Sequence, residues 1–362
     1  MPAASSFRSS SLTRRRLLLG VPALCLGAAV AHAQAPGLLA GQDKRRVTLA
    51  VGSRQALSYL PVALAGQLGF FDAEGLDVRL QEHGSGALAQ QAMLAGAADV
   101  AGGGFERNCL LRLRGQASVA FVLLTRAPQM VLGVGAQALP DFRHVAQLRG
   151  RRVGVTGLAT STHWFAQRVL ARGGVAAQEV EFIDLGHARD AVSAVREGRV
   201  DAIAHIDPFI SLLEYYGEIR VLADTRSLHG TLQLFGGPMP GSSLYAPQAF
   251  VQAHPRTVQG LSNAVVRALT WLQTAGPGDI VRAVPEVYMN GDRAIYLSAL
   301  DKSREAMSPD GMVSDEAAAT AQRMVQQLSG SAGVGVCWGS VYTNEFARRA
   351  RQALAGSAGR AG

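Results

Sequence analysis

A chain of 362 residues with 48% hydrophobic and 17% charged residues can fill two modest hydrophobic cores. Its formal charge is +8, but Arg8, Arg14, Arg15 and Arg16 at the start supply four of those charges, leaving about +4 for the remainder. That surplus is scattered rather than clustered with aromatics, and Cys and His are dispersed, so neither a nucleic-acid surface nor a zinc centre is expected.

The chain opens with Thr13-Arg14-Arg15-Arg16-Leu17-Leu18-Leu19, stays apolar to Val30 and reaches Ala31-His32-Ala33, a small-x-small cleavage pattern. Residues 1–33 read as an export signal cleaved near Ala33. The paired arginines look like a twin-arginine address, with general secretion as the alternative. The apolar part is too short for a membrane span and is interrupted by Pro22. Cys25 follows Leu24, where a lipid-attachment motif needs a small residue. Cys109 and Cys337 would reach an oxidising compartment, but their spacing does not say that they meet.

Periodicity then predicts a strand at Arg46–Val51, a helix at Tyr59–Leu68, a strand at Leu76–Leu80, a helix at Ala87–Ala95, and strands at Val100 and Val119–Leu124. After Pro128 the run Met130–Val134 reads as a segment crossing to a second lobe. Strands at Arg152–Val155, Val180–Ile183, Ala202–Ile206 and Arg220–Leu222 alternate with helices from Thr162, His187 and Asp207. Gly236-Gly237-Pro238-Met239-Pro240-Gly241 followed by Ser242–Tyr245 reads as the return crossing. From Pro247 to Ala350 the chain is nearly all helical, and a Gly/Ala/Ser-rich tail after Ala353 is expected to fray.

One pattern occurs twice. Gly84, Ala92, Gly96 and Asp99 return as Gly186, Ala194, Gly198 and Asp201, each 102 positions later. In both copies an Ala-rich helix stops at a glycine, and an Asp leads into a buried strand, Val100-Ala101 or Ala202-Ile203-Ala204. Two such units imply two α/β lobes of similar build, with ligand beyond the carboxyl ends of the strands. Two crossings make a hinge between them.

Several segments carry a resemblance. They are Tyr59-Leu60-Pro61-Val62, Gly69-Phe70-Phe71 and Glu74-Gly75-Leu76-Asp77-Val78, then Gly96 to Ala101, Leu148 to Val155, and Gly198 to Asp201 with Asp207-Pro208. In this order they make the chain similar to the solute-binding proteins of the nitrate/sulfonate/taurine type, a group that also holds binders and makers of the thiamine pyrimidine. The resemblance implies the type II periplasmic binding protein fold, two α/β lobes on a two-segment hinge, with a helical C-terminal extension. The boundaries expected are lobe one at 45–128 plus 243–350, lobe two at 129–242, and a flexible tail at 351–362. The implied role is capture of a small-molecule solute by a periplasmic monomer that delivers it to the membrane permease of an ABC importer.

Candidate ligand-binding residues follow from chemistry at strand ends and helix starts. Ser85-Gly86 and Thr160-Ser161-Thr162 open helices whose free amides favour an anion, although ordinary capping explains Ser and Thr there equally. Arg54, followed by Gln55, stands just after the first strand and is the candidate charged contact to an anion. Phe105-Glu106 and Asp207-Pro208 follow strand ends at the same 102 offset. Their acids could hold an amine, or else cap the next helix. Tyr59, Phe105, Trp164 and Phe209 could sandwich a ring, or lie in the core. Many relatives place His after the acid where Arg107 follows Glu106.

The pyrimidine-making relatives are enzymes that use pyridoxal phosphate on a lysine. The chain has two lysines, Lys44 and Lys302, neither expected at a strand end, and no nucleophile elbow. No catalysis, cofactor or metal is expected. A thiamine-type pyrimidine or an aromatic compound as solute, and a sensor in place of the permease, are the alternatives.

Overall fold

Ten strands form two five-stranded sheets of the same plan in a computed structural model that describes residues 43–186, 188–289, 291–330 and 338–358. Residues 1–33, expected to be an export signal, and His187, Cys337 and the last four residues lie outside the described residues.

The first sheet contains β1 (Arg46–Val51), β2 (Asp77–Glu82), β3 (Val100–Gly104), β4 (Ser118–Leu123) and β10 (Ser242–Pro247), in the order β2-β1-β3-β10-β4. The second contains β5 (Met130–Gly135), β6 (Arg152–Val155), β7 (Glu181–Asp184), β8 (Ala202–Ile206) and β9 (Ile219–Asp224), in the order β7-β6-β8-β5-β9. In each, four strands run in one direction, and the strand arriving from the other sheet, β10 or β5, lies antiparallel between two of them. The central strands are buried on both faces, which is why they read as continuous apolar runs.

Helices α1 (Leu60–Gln67), α2 (Phe70–Ala73), α3 (Gly86–Leu94) and α4 (Phe105–Leu113) accompany the first sheet. The second carries α5 (Ser161–Arg172), α6 (Ala188–Arg196), α7 (Phe209–Tyr215) and α8 (Leu228–Phe235). The repeated motif has one physical cause in both copies. Gly96 and Gly198 take φ of 74° and 65°, ending the preceding helix in a left-handed turn that costs a side-chain-bearing residue energy. Asp99 and Asp201 then accept the backbone N–H of Thr48 and Arg152, at 2.9 and 2.8 Å, fixing the start of the neighbouring strand.

After β10 the chain is helical, with α9 (Gln248–Ala253), α10 (Pro255–Thr274), α11 (Pro277–Ala283), α12 (Arg293–Ser303), α13 (Asp315–Ser329) and α14 (Glu345–Ala358). Helix α10 packs on α1, α2 and α14, and α13 on α4, so the extension thickens the first lobe's core around Leu64, Phe121, Val265 and Leu269. Helix α12 reaches α7, and Lys302 pairs with Glu214 at 3.0 Å. Among the described residues no helix is long and apolar enough to cross a membrane.

Two expectations change. Met130–Val134 is a strand inside the second sheet, paired with β8 and β9, and the outward crossing is the stretch from 124 to 129 just before it. A fully apolar run looks the same in a crossing as in a buried strand, because only pairing distinguishes them. Helix α14 also continues to Ala358 past Ala353, as alanine in its last turns favours.

The crossings are bonded to each other. Gly241 N–H donates to the Thr125 carbonyl at 2.9 Å, Leu124 N–H to the Ser242 carbonyl at 2.8 Å, and Ser242 N–H to Thr125 Oγ1 at 2.8 Å.

Candidate functional site

A cavity of about 280 Å³ lies between the two sheets at the carboxyl ends of β1, β3, β6 and β8, where open α/β folds hold ligands. Two helices from different lobes start at it. Ser85 is the N-cap of α3, with its Oγ accepting the Leu88 N–H at 3.2 Å, and Gly86 begins the helix. Thr160 and Ser161 stand at the corresponding start of α5. The first amides of a helix have no partner within it, and they carry the positive end of its dipole.

Around the α5 end the hydroxyls form a local cluster. Thr160 Oγ1 donates to the Gly157 carbonyl at 2.6 Å, Thr162 Oγ1 accepts the Thr156 N–H at 3.0 Å, and Thr156 and Thr162 hydroxyls are 2.7 Å apart. Ser85 therefore both caps α3 and lines the cavity, whereas the Thr160 side chain lines the cavity without capping α5. Ser161 reaches across the interlobe gap and donates to the Glu106 carboxylate. Beside it Arg107 spans the same gap, donating to the Ala159 carbonyl at 2.9 Å and to Gln90 Oε1 at 2.9 Å.

Of the residues read from the sequence, Gln55, Tyr59, Ser85, Gly86, Thr160, Ser161 and Thr162 line the cavity. Gln55 also donates to the Val287 carbonyl at 2.9 Å, anchoring the loop after β1 to the helical extension. Burial of Tyr59 pushes its phenol well up, so it acts as a neutral hydroxyl.

The other five are held elsewhere. Arg54 turns away to donate to the Leu80 carbonyl. Phe105 is buried in the core, edge-on to Tyr342 with centroids 5.9 Å apart. Trp164 is half-buried, with the Arg107 guanidinium 5.4 Å over its ring. Asp207 is buried, accepting the Ser211 N–H at 2.8 Å and pairing with Arg226 at 3.3 Å. Glu106 is buried behind Ser161, one step from the cavity wall. Phe209, weighed for stacking, does line the cavity.

Sequence reasoning missed Ser53, Ser58, Glu82, Thr156, His205 and Ser242, which also line it. Thr156 directly follows β6, so the strand-end rule that located Arg54 could have found it. His205 interrupts the apolar run of β8, the one polar residue between Ala202 and Ile206. No lysine or arginine lines the cavity among the described residues; its lining offers backbone amides, hydroxyls and the Gln55 carboxamide as donors.

Burial pushes the Glu106 carboxyl up, and the bond from Ser161 only partly opposes this. Between the ordinary value and the raised one the folded protein therefore keeps a proton that the unfolded chain has lost. Its contribution to stability is full below the ordinary carboxylate value of 4.5 and is lost as pH rises through the raised one. Glu106→Gln removes this dependence while keeping an acceptor for Ser161. Urea denaturation across pH should show the variant gaining on the native protein as pH rises. A difference that is constant from pH 4 to 8 would show that Glu106 ionises at an ordinary value.

The NMT1/THI5 like family matches residues 57–275. A solved structure from Bordetella bronchiseptica RB50 is 43% identical, with TM-score 0.82, over 86% of this chain and 98% of that one. The alkanesulfonate-binding protein SsuA of Xanthomonas axonopodis pv. citri, bound to MOPS, is 19% identical with TM-score 0.66, over 83% and 99% of the two chains. The periplasmic nitrate-binding protein NrtA of Synechocystis PCC 6803 is 13% identical with TM-score 0.68, over 87% and 90%. The last two share the fold.

Proposed function

The chain belongs to the NMT1/THI5 like family, and from that membership we propose that it is the exported, periplasmic solute-binding component of an ABC importer. It captures a small organic anion between its lobes and delivers it to a membrane permease. The observation that carries this reading is the convergence of α3 and α5, one from each lobe, on a single cavity. An oxyanion bound there satisfies amides of both helix starts at once, and only while the lobes are closed. Closure is then linked to occupancy through the contacts that the closed form alone makes.

Binding without catalysis is supported by where the lysines sit. Lys44 pairs with Asp99 at 2.7 Å and Lys302 with Glu214, both away from the cavity. A pyrimidine or aromatic solute is the second reading, favoured by Tyr59 and Phe209 on the wall and by the Glu82 carboxylate.

A thermal-shift screen against sulfonates, nitrate, taurine, aromatic carboxylates and thiamine pyrimidines tests both, since a ligand at a hundred times its Kd adds about 2.7 kcal/mol to stability. A shift with organic anions is expected. The double variant Thr160→Ala, Ser161→Ala should weaken the best anion by roughly tenfold or more, through two lost hydroxyls and a loosened α5 start. Unchanged affinity in that variant would remove the α5 end from the site, and a shift with pyrimidines alone would favour the second reading.

A further inference from the structure

We infer that the solute carries a hydroxyl or amine donor close to its anionic group, and that His205 accepts this hydrogen bond and selects for it. The inference rests on the proposed binding function and narrows its solute class.

His205 is the fourth residue of β8, is 2% exposed and lines the cavity. Its Nδ1 lies 3.3 Å from the Ile206 carbonyl oxygen, an atom that can only accept, so Nδ1 carries the ring proton. A neutral imidazole has one N–H, which leaves Nε2 as a bare acceptor. Nε2 is buried and meets no hydrogen-bonding group among the described residues. Phe209 stands edge-on to the ring with centroids 5.5 Å apart and restricts its turning. Burial lowers the ring's pKa to about 4, so it stays neutral at physiological pH.

A buried acceptor without a donor is costly, and a solute that supplies the donor recovers that cost. Strand β8 is hydrogen-bonded beside β6, whose exit leads to Thr156 and the start of α5. Neighbouring strands lie about 4.8 Å apart, so the anion-binding end and His205 are within the length of one small molecule. Nitrate and unsubstituted alkanesulfonates have no donor to offer and would bury Nε2 unpaired. A hydroxy- or amino-substituted organic anion satisfies both ends.

The test uses isosteric pairs that differ in OH against CH₃, 2-hydroxyethanesulfonate against propane-1-sulfonate and 4-hydroxybenzoate against 4-methylbenzoate, titrated calorimetrically into the full chain. At least one hydroxyl member should bind about tenfold more tightly than its methyl isostere. His205→Phe should erase that preference, the two members of a pair then binding alike, and His205→Gln, which keeps an acceptor, should restore part of it. Equal affinity within every pair overturns the inference and leaves the binding function standing, whereas no binding by any anion of either pair or of the screen overturns both. The unliganded protein gives a second readout. The imidazole ¹⁵N spectrum of His205 should show the Nδ1–H tautomer, and a proton on Nε2 would overturn the assignment of that atom as acceptor.

Discussion

Replacing Arg226 with alanine is expected to lower unfolding free energy by about 3–5 kcal/mol, the range for breaking a buried ion pair from one side. Arg226 is 3% exposed and donates to Glu214 at 2.7 Å and to Asp224 at 2.6 Å, besides Asp207 and Ser211 Oγ, each at 3.3 Å. Its partners differ in what they lose. The side chains of Glu214 and Asp224 keep 20% and 34% exposure and can rehydrate, whereas that of Asp207 keeps 1% and cannot. Burial already pushes the Asp207 carboxyl up, and Arg226 is the chief force holding it down. Without the guanidinium Asp207 must protonate or stay buried as a lone charge. The penalty should therefore shrink as pH falls, and adding Asp207→Asn should recover part of it at pH 7. Urea denaturation measures both, and a loss below about 1 kcal/mol would mean that the cluster rehydrates freely.

The second large effect concerns the hinge. Gly241 passes so close to the outward crossing that a Cβ would overlap the Ala127 carbonyl oxygen and Thr125 Oγ1. Neither can yield easily, since Thr125 is itself bonded to Ser242 and Gly241. Gly241→Ala should separate the crossings, lower stability by about 1–3 kcal/mol through overpacking, and weaken binding because Gly241 and Ser242 line the cavity. Gly278→Ala, where a Cβ meets only the end of the Arg282 side chain at 3.4 Å, serves as the control and should be neutral or stabilising. Equal effects of the two substitutions on stability and affinity would show that the crossings accommodate the methyl group.

Much of the architecture was legible because its signals are local. A glycine that ends a helix and an aspartate that starts a strand act within a few residues, so the pattern at Gly96–Asp99 and Gly198–Asp201 was readable without a structure. Apolar runs located the strands, but not the partner of Met130–Val134. At the cavity, helix starts were readable for the same reason, which is how Ser85, Gly86 and Thr160–Thr162 were found. The residues that turned out to face elsewhere answer to distant partners. Asp207 is held by Arg226 on the far side of β9, Phe105 by Tyr342 near the end of the chain, and Arg54 by the carbonyl of Leu80 in β2. Strand ends mark where a site is, and long-range partners decide which side chains turn into it. His205 escaped notice because a lone histidine inside a buried strand is ordinarily part of the core. It took on meaning only when the residue was found to line the cavity with one buried ring nitrogen lacking a partner among the described residues.

The most direct measurement of the central claim is a crystal structure of the protein with the anion that gives the largest thermal shift. The expected result places its oxygens between the first amides of α3 and α5, in contact with both lobes at once. An anion bound outside this cavity, or held by one lobe alone with the other helix start empty, would contradict it.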